Sequence, residues 1–140
     1  MSDKFFLDTN VFVYSVTEDD AAKAQLATKL IRKTLETQKG VVSYQVVQEF
    51  FHLAIRKFQK QMPIADRDAY LSAVFQPMLR VHSSVALYTE ALALQSRIRL
   101  SWYDSLIVCA AIQAECAILN SEDMQHGQRF GALQIQNPFR

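Results

Sequence analysis

Glycine is nearly missing from this chain: three in 140 residues, at positions 40, 127 and 131. Neither the glycine-rich turn of a dinucleotide-binding fold nor a phosphate-cradling loop can be assembled from them, so nucleotide chemistry of those kinds is excluded. Cysteine is scarce too. Cys109 and Cys116 are the only pair, and seven positions apart on a helical pattern their Cα atoms lie roughly 10 Å from each other, beyond the roughly 7 Å that a disulfide bridges. They read as small core residues of a reducing compartment. No apolar run reaches membrane-spanning length, and Asp3, Lys4 and Asp8 interrupt the start of the chain where a signal peptide would need an apolar centre. A soluble cytoplasmic protein with no membrane contact is the expectation. Charge of one sign is also lacking: 15 basic residues against 14 acidic ones leave a net +1, which alone argues neither for nor against nucleic acid. Repeats, low-complexity tracts and linkers are absent, so one domain over residues 1–140 is expected.

What is present is apolar sequence in regular patterns. Half of the residues are hydrophobic, enough for a core without disulfides or a structural metal. Phe5-Phe6-Leu7 is a continuous apolar run, as expected of a strand covered on both faces. A short helix follows, then a longer one from Ala21 to Gln38 with an apolar stripe of Leu26, Ala27, Leu30, Ile31, Thr34 and Leu35. Val41-Val42-Ser43 is a second strand, running into a helix over Gln45–Phe58 whose polar face carries Gln45, Gln48, Glu49 and His52. A helix over Ile64–Met78, a strand at Leu79–His82 and a helix with apolar positions Val85, Tyr88, Ala91 and Leu92 come next. Tyr103 to Glu115 is apolar on nearly every face and predicts a central buried helix. Cys116–Leu119 is a further strand, and Leu133–Ile135 a last short one after a loop-like tail. Strands alternating with helices at this spacing predict an α/β fold, a three-layer α/β/α arrangement around a central, mainly parallel sheet of four to five short strands.

That topology carries a chemical consequence. In a parallel sheet, ligands bind outside the carboxyl ends of the strands. Asp8 and Asp123 follow strands directly, Glu49 lies early in the helix after the second strand, and the helix from Tyr103 must run back along the sheet before the strand at Ala117, which returns Asp104 to the same edge. Each acid alone has a bland explanation. Asp8 or Asn10 can cap a helix, Ser101 with Asp104 resembles a capping box, Glu49 can be a solvated residue, and Asp123 can cap a turn toward Gly127. Together, four like charges repel unless a cation sits among them. An all-oxygen set suits Mg²⁺ or Mn²⁺, whereas zinc favours His and Cys. Thr9, Asn10 and Ser121 stand beside the acids as possible supports for ligands or waters. With those four acids set aside, 15 basic residues face 10 acidic ones, a net +5 that allows a positive rim. The chemistry expected is metal-assisted hydrolysis of a phosphodiester.

The sequence around the acids resembles a known family. Leu7-Asp8-Thr9-Asn10-Val11 with Tyr14, Gln48-Glu49-Phe50, Tyr103-Asp104-Ser105-Leu106-Ile107 and Ser121-Glu122-Asp123-Met124 are together similar to the acidic motifs of PIN-domain ribonucleases, and more narrowly to VapC-type toxins of bacterial toxin–antitoxin pairs. The resemblance extends from Leu7 to Gly127. It implies an Mg²⁺- or Mn²⁺-dependent endoribonuclease acting on RNA, a homodimer, and a small antitoxin that occludes the site. Asp8, Glu49, Asp104 and Asp123 then correspond to the metal acids, and Glu122 either assists them or lies exposed beside the true ligand. A haloacid-dehalogenase-like phosphatase also places an Asp after its first strand, but it needs a second Asp where Asn10 stands. A PIN-like domain that binds RNA or protein without catalysis is a further alternative. His52, His82 and His126 suit surface or packing roles, with His52 one helical turn beyond Glu49.

Overall fold

The computed structural model describes residues 2–140, and the chain builds a six-stranded sheet in the order β3-β2-β1-β4-β6-β5. The strands are β1 (Phe5–Leu7), β2 (Gly40–Ser43), β3 (Leu79–Val81), β4 (Ile118–Asn120), β5 (Arg129–Phe130) and β6 (Leu133–Gln136). All pairings are parallel except that of β5 with β6. The mainly parallel α/β architecture is as the pattern of strands and helices predicts, but the sheet has six strands where four to five were expected. The additional one, β5, is two residues long and turns back on β6 through Gly131, whose φ of +63° is a left-handed conformation suited to glycine.

Seven helices and one wide turn flank the sheet: α1 (Thr9–Thr17), α2 (Ala21–Thr37), α3 (Tyr44–Arg56), α4 (Ile64–Tyr70), a π-turn at Leu71–Phe75, α5 (Gln76–Met78), α6 (Val85–Ile98) and α7 (Trp102–Gln113). The expected helix over Ile64–Met78 is thus continuous in path but widened before Pro77. That ring lacks an N–H and crowds the carbonyl four residues back, and a π-turn relieves both demands. Side-chain caps start four of the helices: Asp8 accepts from the Thr9 amide, Asp20 from Lys23, Ser84 from Leu87 and Ser101 from Asp104.

β1 is wholly buried at the centre of the sheet, and the core continues through Phe12, Phe50 and Phe75, whose rings meet at centroid distances of 4.9–6.5 Å. Gly40 fixes how α2 meets β2, because a Cβ there would lie 2.0 Å from Thr34 Cγ2. The apolar stripes are narrower than the sequence pattern suggests. α2 buries Ala24, Ala27, Ile31 and Thr34 but leaves Leu26 and Leu35 exposed; α6 buries Leu87, Ala91 and Leu94 and exposes Val85, Tyr88 and Leu92. α7 is the most buried helix, as expected, yet Tyr103 and Ile112 at its two ends face outward. Cys109 and Cys116 are free, buried thiols, and among the described residues no helix is long and apolar enough to cross a membrane.

Candidate active site

The carboxyl edge of the sheet is assembled around Asp8. The Asp8 amide donates to the Asn120 carbonyl at 3.0 Å, and the Asn120 side chain returns a bond to the Phe6 carbonyl at 3.2 Å, so the ends of β1 and β4 are locked in register. The Asp8 carboxylate is buried and held at both oxygens: Oδ1 accepts from the Thr9 amide at 2.7 Å and Oδ2 from the Ser121 hydroxyl at 2.8 Å. Ser121 Oγ also accepts from the Asp123 amide at 3.3 Å. One hydroxyl therefore joins the first acid to the loop that carries the last. Asp8 is at once the residue preceding α1 and a fixed carboxylate at the ligand edge, so the capping and functional readings of this residue describe one geometry.

Glu49 and Asp104 arrive on α3 and α7. Gln45, one turn before Glu49, is buried and donates from Nε2 to the Tyr103 carbonyl at 3.2 Å, tying the starts of the two helices together. Ser101 caps α7 through the Asp104 amide at 3.1 Å, which sets the direction of that first turn. Asp104 is half-buried, while Glu49 and Asp123 are exposed.

The electrostatics report mutual proximity. Burial is the main force raising the Asp8 carboxyl from 3.8 to about 6; the Thr9 and Ser121 hydrogen bonds oppose it, and the charges of Glu49 and Asp123 push the same way as burial. Glu49 is raised chiefly by desolvation and further by Asp104 and Asp123. Asp104 is raised by desolvation and then by Asp123, against the bond from Ser101. The four acids, scattered over 115 positions of sequence, thus sense one another's charge at one edge. Among the described residues, no three acidic, imidazole or thiol side chains are gathered at ligand spacing, so they face a shared region without forming a closed cage.

Several buried polar atoms at this edge lack a partner: Thr9 Oγ1, both side-chain atoms of Asn10, Ser43 Oγ and Gln45 Oε1. Such orphans are costly in a core, and each belongs to a residue at the end of β2 or in the first turns of α1 and α3. The donor set is entirely oxygen apart from the Asn10 amide, which fits a hard divalent ion that keeps part of its water shell and does not fit zinc.

Glu122 faces another way. Its carboxylate accepts from the Tyr14 hydroxyl and pairs with Lys23 Nζ at 2.6 Å, while Lys23 lies 4.8 Å from the centre of the Tyr14 ring. The Lys23 and Tyr14 bonds hold its carboxyl below the usual range despite desolvation. The histidines stand apart as well: His52 is exposed on α3, His82 lies exposed just past β3, and His126 Nδ1 accepts from the Asn137 amide at 3.0 Å, tying the loop to the tail. The sequence pattern puts Gln45 on the polar face of α3 and gives no sign of its bond to Tyr103 beyond a position one helical turn from Glu49.

A family model described as the PIN domain matches residues 5–128. The chain belongs to the PIN domain family. Nothing among curated proteins matches it. Solved structures with the same fold include VapBC2 from Rickettsia felis, bound to a DNA fragment from their promoter, at 18% identity, a TM-score of 0.64 and coverage of 94% of this chain and 96% of that one. Mycobacterium tuberculosis VapC20, a Sarcin-Ricin loop cleaving toxin, is 19% identical with a TM-score of 0.61, covering 86% and 90% of the two chains. FitAcB from Neisseria gonorrhoeae is 18% identical with a TM-score of 0.68, covering 96% and 98%. At these identities the likeness is one of PIN fold, extending over nearly the whole of each chain.

Proposed function

We propose that this PIN protein is a divalent-metal-dependent endoribonuclease, the toxin of a toxin–antitoxin pair, formed as one domain over residues 1–140 and acting in the cytoplasm. The observation that carries the reading is the convergence of Asp8, Glu49, Asp104 and Asp123 on one sheet edge, where three of their carboxyls are raised by burial and by each other's charge. An edge so negative repels the phosphates of RNA until a cation neutralises it. In this reading the four acids hold Mg²⁺ or Mn²⁺, and Thr9, Asn10 and Ser121 orient ligands and waters beside them. When bound, the ion would supply charge compensation at the phosphodiester and would lower the pKa of a water for attack on phosphorus.

The chain's own contribution is positioning. Asp8 is fixed at both oxygens, so its direction is set before any ligand arrives. Gln45 and Ser101 do the same for the helix starts that present Glu49 and Asp104. Glu122 serves the Lys23 and Tyr14 contacts instead of the metal. A small antitoxin as partner is supported by the fold shared with VapBC2 and FitAcB, and a homodimer by the family resemblance.

The test is cleavage of single-stranded RNA by purified protein. Activity is expected with Mg²⁺ or Mn²⁺ and none in excess EDTA, with Asp8→Asn and Asp104→Asn inactive in either condition. Undiminished cleavage in EDTA would refute the metal reading.

A further inference from the structure

Beside the acids, the same edge carries aromatic side chains that the acid chemistry does not use. Tyr44 opens α3 where β2 ends, Tyr88 lies in the first turn of α6 beyond β3, and Trp102 and Tyr103 open α7 immediately before Asp104. The Tyr88 and Trp102 rings are tilted by 32° with centroids 6.3 Å apart. Tyr44 is the first residue of α3 and precedes Gln45, whose side chain reaches the Tyr103 carbonyl, so the starts of α3 and α7 meet at this edge. Tyr44 and Trp102 pack partly into the core, whereas Tyr88 is 38% and Tyr103 65% exposed. The exposure of Tyr103 is not fraying: its carbonyl accepts the Gln45 bond, and the Ser101 cap fixes the turn in which it sits.

We propose that Tyr103, on the helix start it shares with Trp102, forms together with the Tyr88–Trp102 pair a stacking platform for unpaired bases of single-stranded RNA next to the acidic centre. The inference rests on the ribonuclease reading for its choice of ligand and deepens it by naming how substrate is gripped. Metal-bound acids attract phosphate, but they offer nothing to a base. Aromatic rings offer a face that every base can stack on, without regard to sequence. A tyrosine has only two side-chain torsions to immobilise, so a ring on a fixed backbone binds at low entropic cost. Bases within a duplex already spend both faces on their neighbours, so the platform selects for single strands or unstacked loops. The competing occupant is a second copy of the chain, since Val85 and Leu92 are also exposed on α6. Bases are favoured by the position of Tyr103, one residue from Asp104, and by the hydroxyl-bearing rings that meet the wet edge.

Trp102 is the only tryptophan, so its emission reports directly on the platform. Wild-type protein is titrated with a labelled single-stranded RNA decamer, in EDTA and in Ca²⁺, reading anisotropy and Trp102 fluorescence. Single strands are expected to change the emission in at least one of the two conditions, and a duplex or an abasic strand of equal charge is not. Tyr103→Ala is expected to weaken binding by roughly tenfold, the scale of one lost stacking contact, and Tyr103→Phe to restore it. Sedimentation of the same variants distinguishes the other occupant. Tyr103→Ala protein that becomes monomeric with RNA affinity unchanged overturns the proposal, as does wild-type emission indifferent to RNA in both conditions. Metal-dependent cleavage with unaltered binding in Tyr103→Ala removes the platform and leaves the nuclease standing. Ring-dependent binding without any cleavage does the reverse.

Discussion

Asp8→Asn separates a carboxylate kept for function from one kept for stability. In the folded, metal-free chain the Asp8 carboxyl is raised from 3.8 to about 6, with burial the largest cause and the charges of Glu49 and Asp123 adding to it. The folded state therefore binds this proton more tightly than the unfolded state does. Stability contributed by Asp8 is fully present below about pH 4, is lost progressively as pH rises toward 6, and stays lost above that. A shift of about two units corresponds to a cost on the order of 3 kcal/mol at pH 7.5. Asparagine removes the charge and keeps the shape. Its oxygen can accept from the Thr9 amide as Asp8 Oδ1 does, and its NH₂ can donate to Ser121 Oγ as a protonated Asp8 would. In EDTA at pH 7.5 the variant should be more stable by about 1–3 kcal/mol, or very roughly 3–10 °C in Tm for a chain of this length. The gap should close near pH 4, where wild-type Asp8 is itself neutral. Saturating Mg²⁺ should raise the wild type and leave the variant nearly unmoved, because only a state that binds ligand gains from it. Calorimetric melts of both proteins at pH 4.5, 6 and 7.5, with and without Mg²⁺, give the comparison. A variant that melts below wild type in EDTA at pH 7.5 would refute the reasoning and return Asp8 to the role of a simple cap.

Cleavage by metal-activated water should leave 5′-phosphate and 3′-hydroxyl ends, and a single 2′-deoxy nucleotide at the cut should be tolerated; cyclic-phosphate ends found by end-labelling would move the chemistry to the histidines. Glu122→Gln should keep metal-dependent cleavage within a few-fold of wild type, since that carboxylate is engaged by Lys23 and Tyr14; a loss as complete as that of Asp123→Asn would make it a ligand after all. Gly40→Ala should destabilise the fold by roughly 1–3 kcal/mol through overpacking against Thr34, partly relieved by Thr34→Ala, and urea melts of the single and double variants would show whether the two changes couple.

The alternation of Phe5–Leu7, Val41–Ser43 and Cys116–Leu119 with amphipathic helices is readable because strand and helix periods differ; the last of these strands is displaced in the structure to Ile118–Asn120. The same reading brought the four acids to one edge, since right-handed crossovers leave little choice of where a helix start lies. β5 escaped because two residues cannot display a period, and only pairing with β6 makes Arg129–Phe130 a strand. Leu26, Val85 and Leu92 look like core in a hydropathy pattern; which edge of an apolar stripe is covered depends on neighbours far away in sequence. Long-range polar contacts were equally hidden. The pairing of Lys23 with Glu122 joins residues 99 positions apart, and the bond from Gln45 to Tyr103 joins residues 58 apart. No local pattern marks either partner.

The central place of β1 makes the Asp8 pocket a late product of synthesis. This strand precedes the other five in the chain, yet it waits for β2 on one side and for β4 on the other. The hydroxyl that holds Asp8 is 113 residues downstream, and its loop is secured in turn by the Gln136 carbonyl of β6. A nascent chain can therefore gather β1, β2 and their helices while one wall of the Asp8 pocket is still inside the ribosome. That wall closes only when β4, its loop and β6 have emerged. A chain broken before Ser121 would keep Asp8, Glu49 and Asp104 but lose the hydroxyl that holds one of the two Asp8 oxygens.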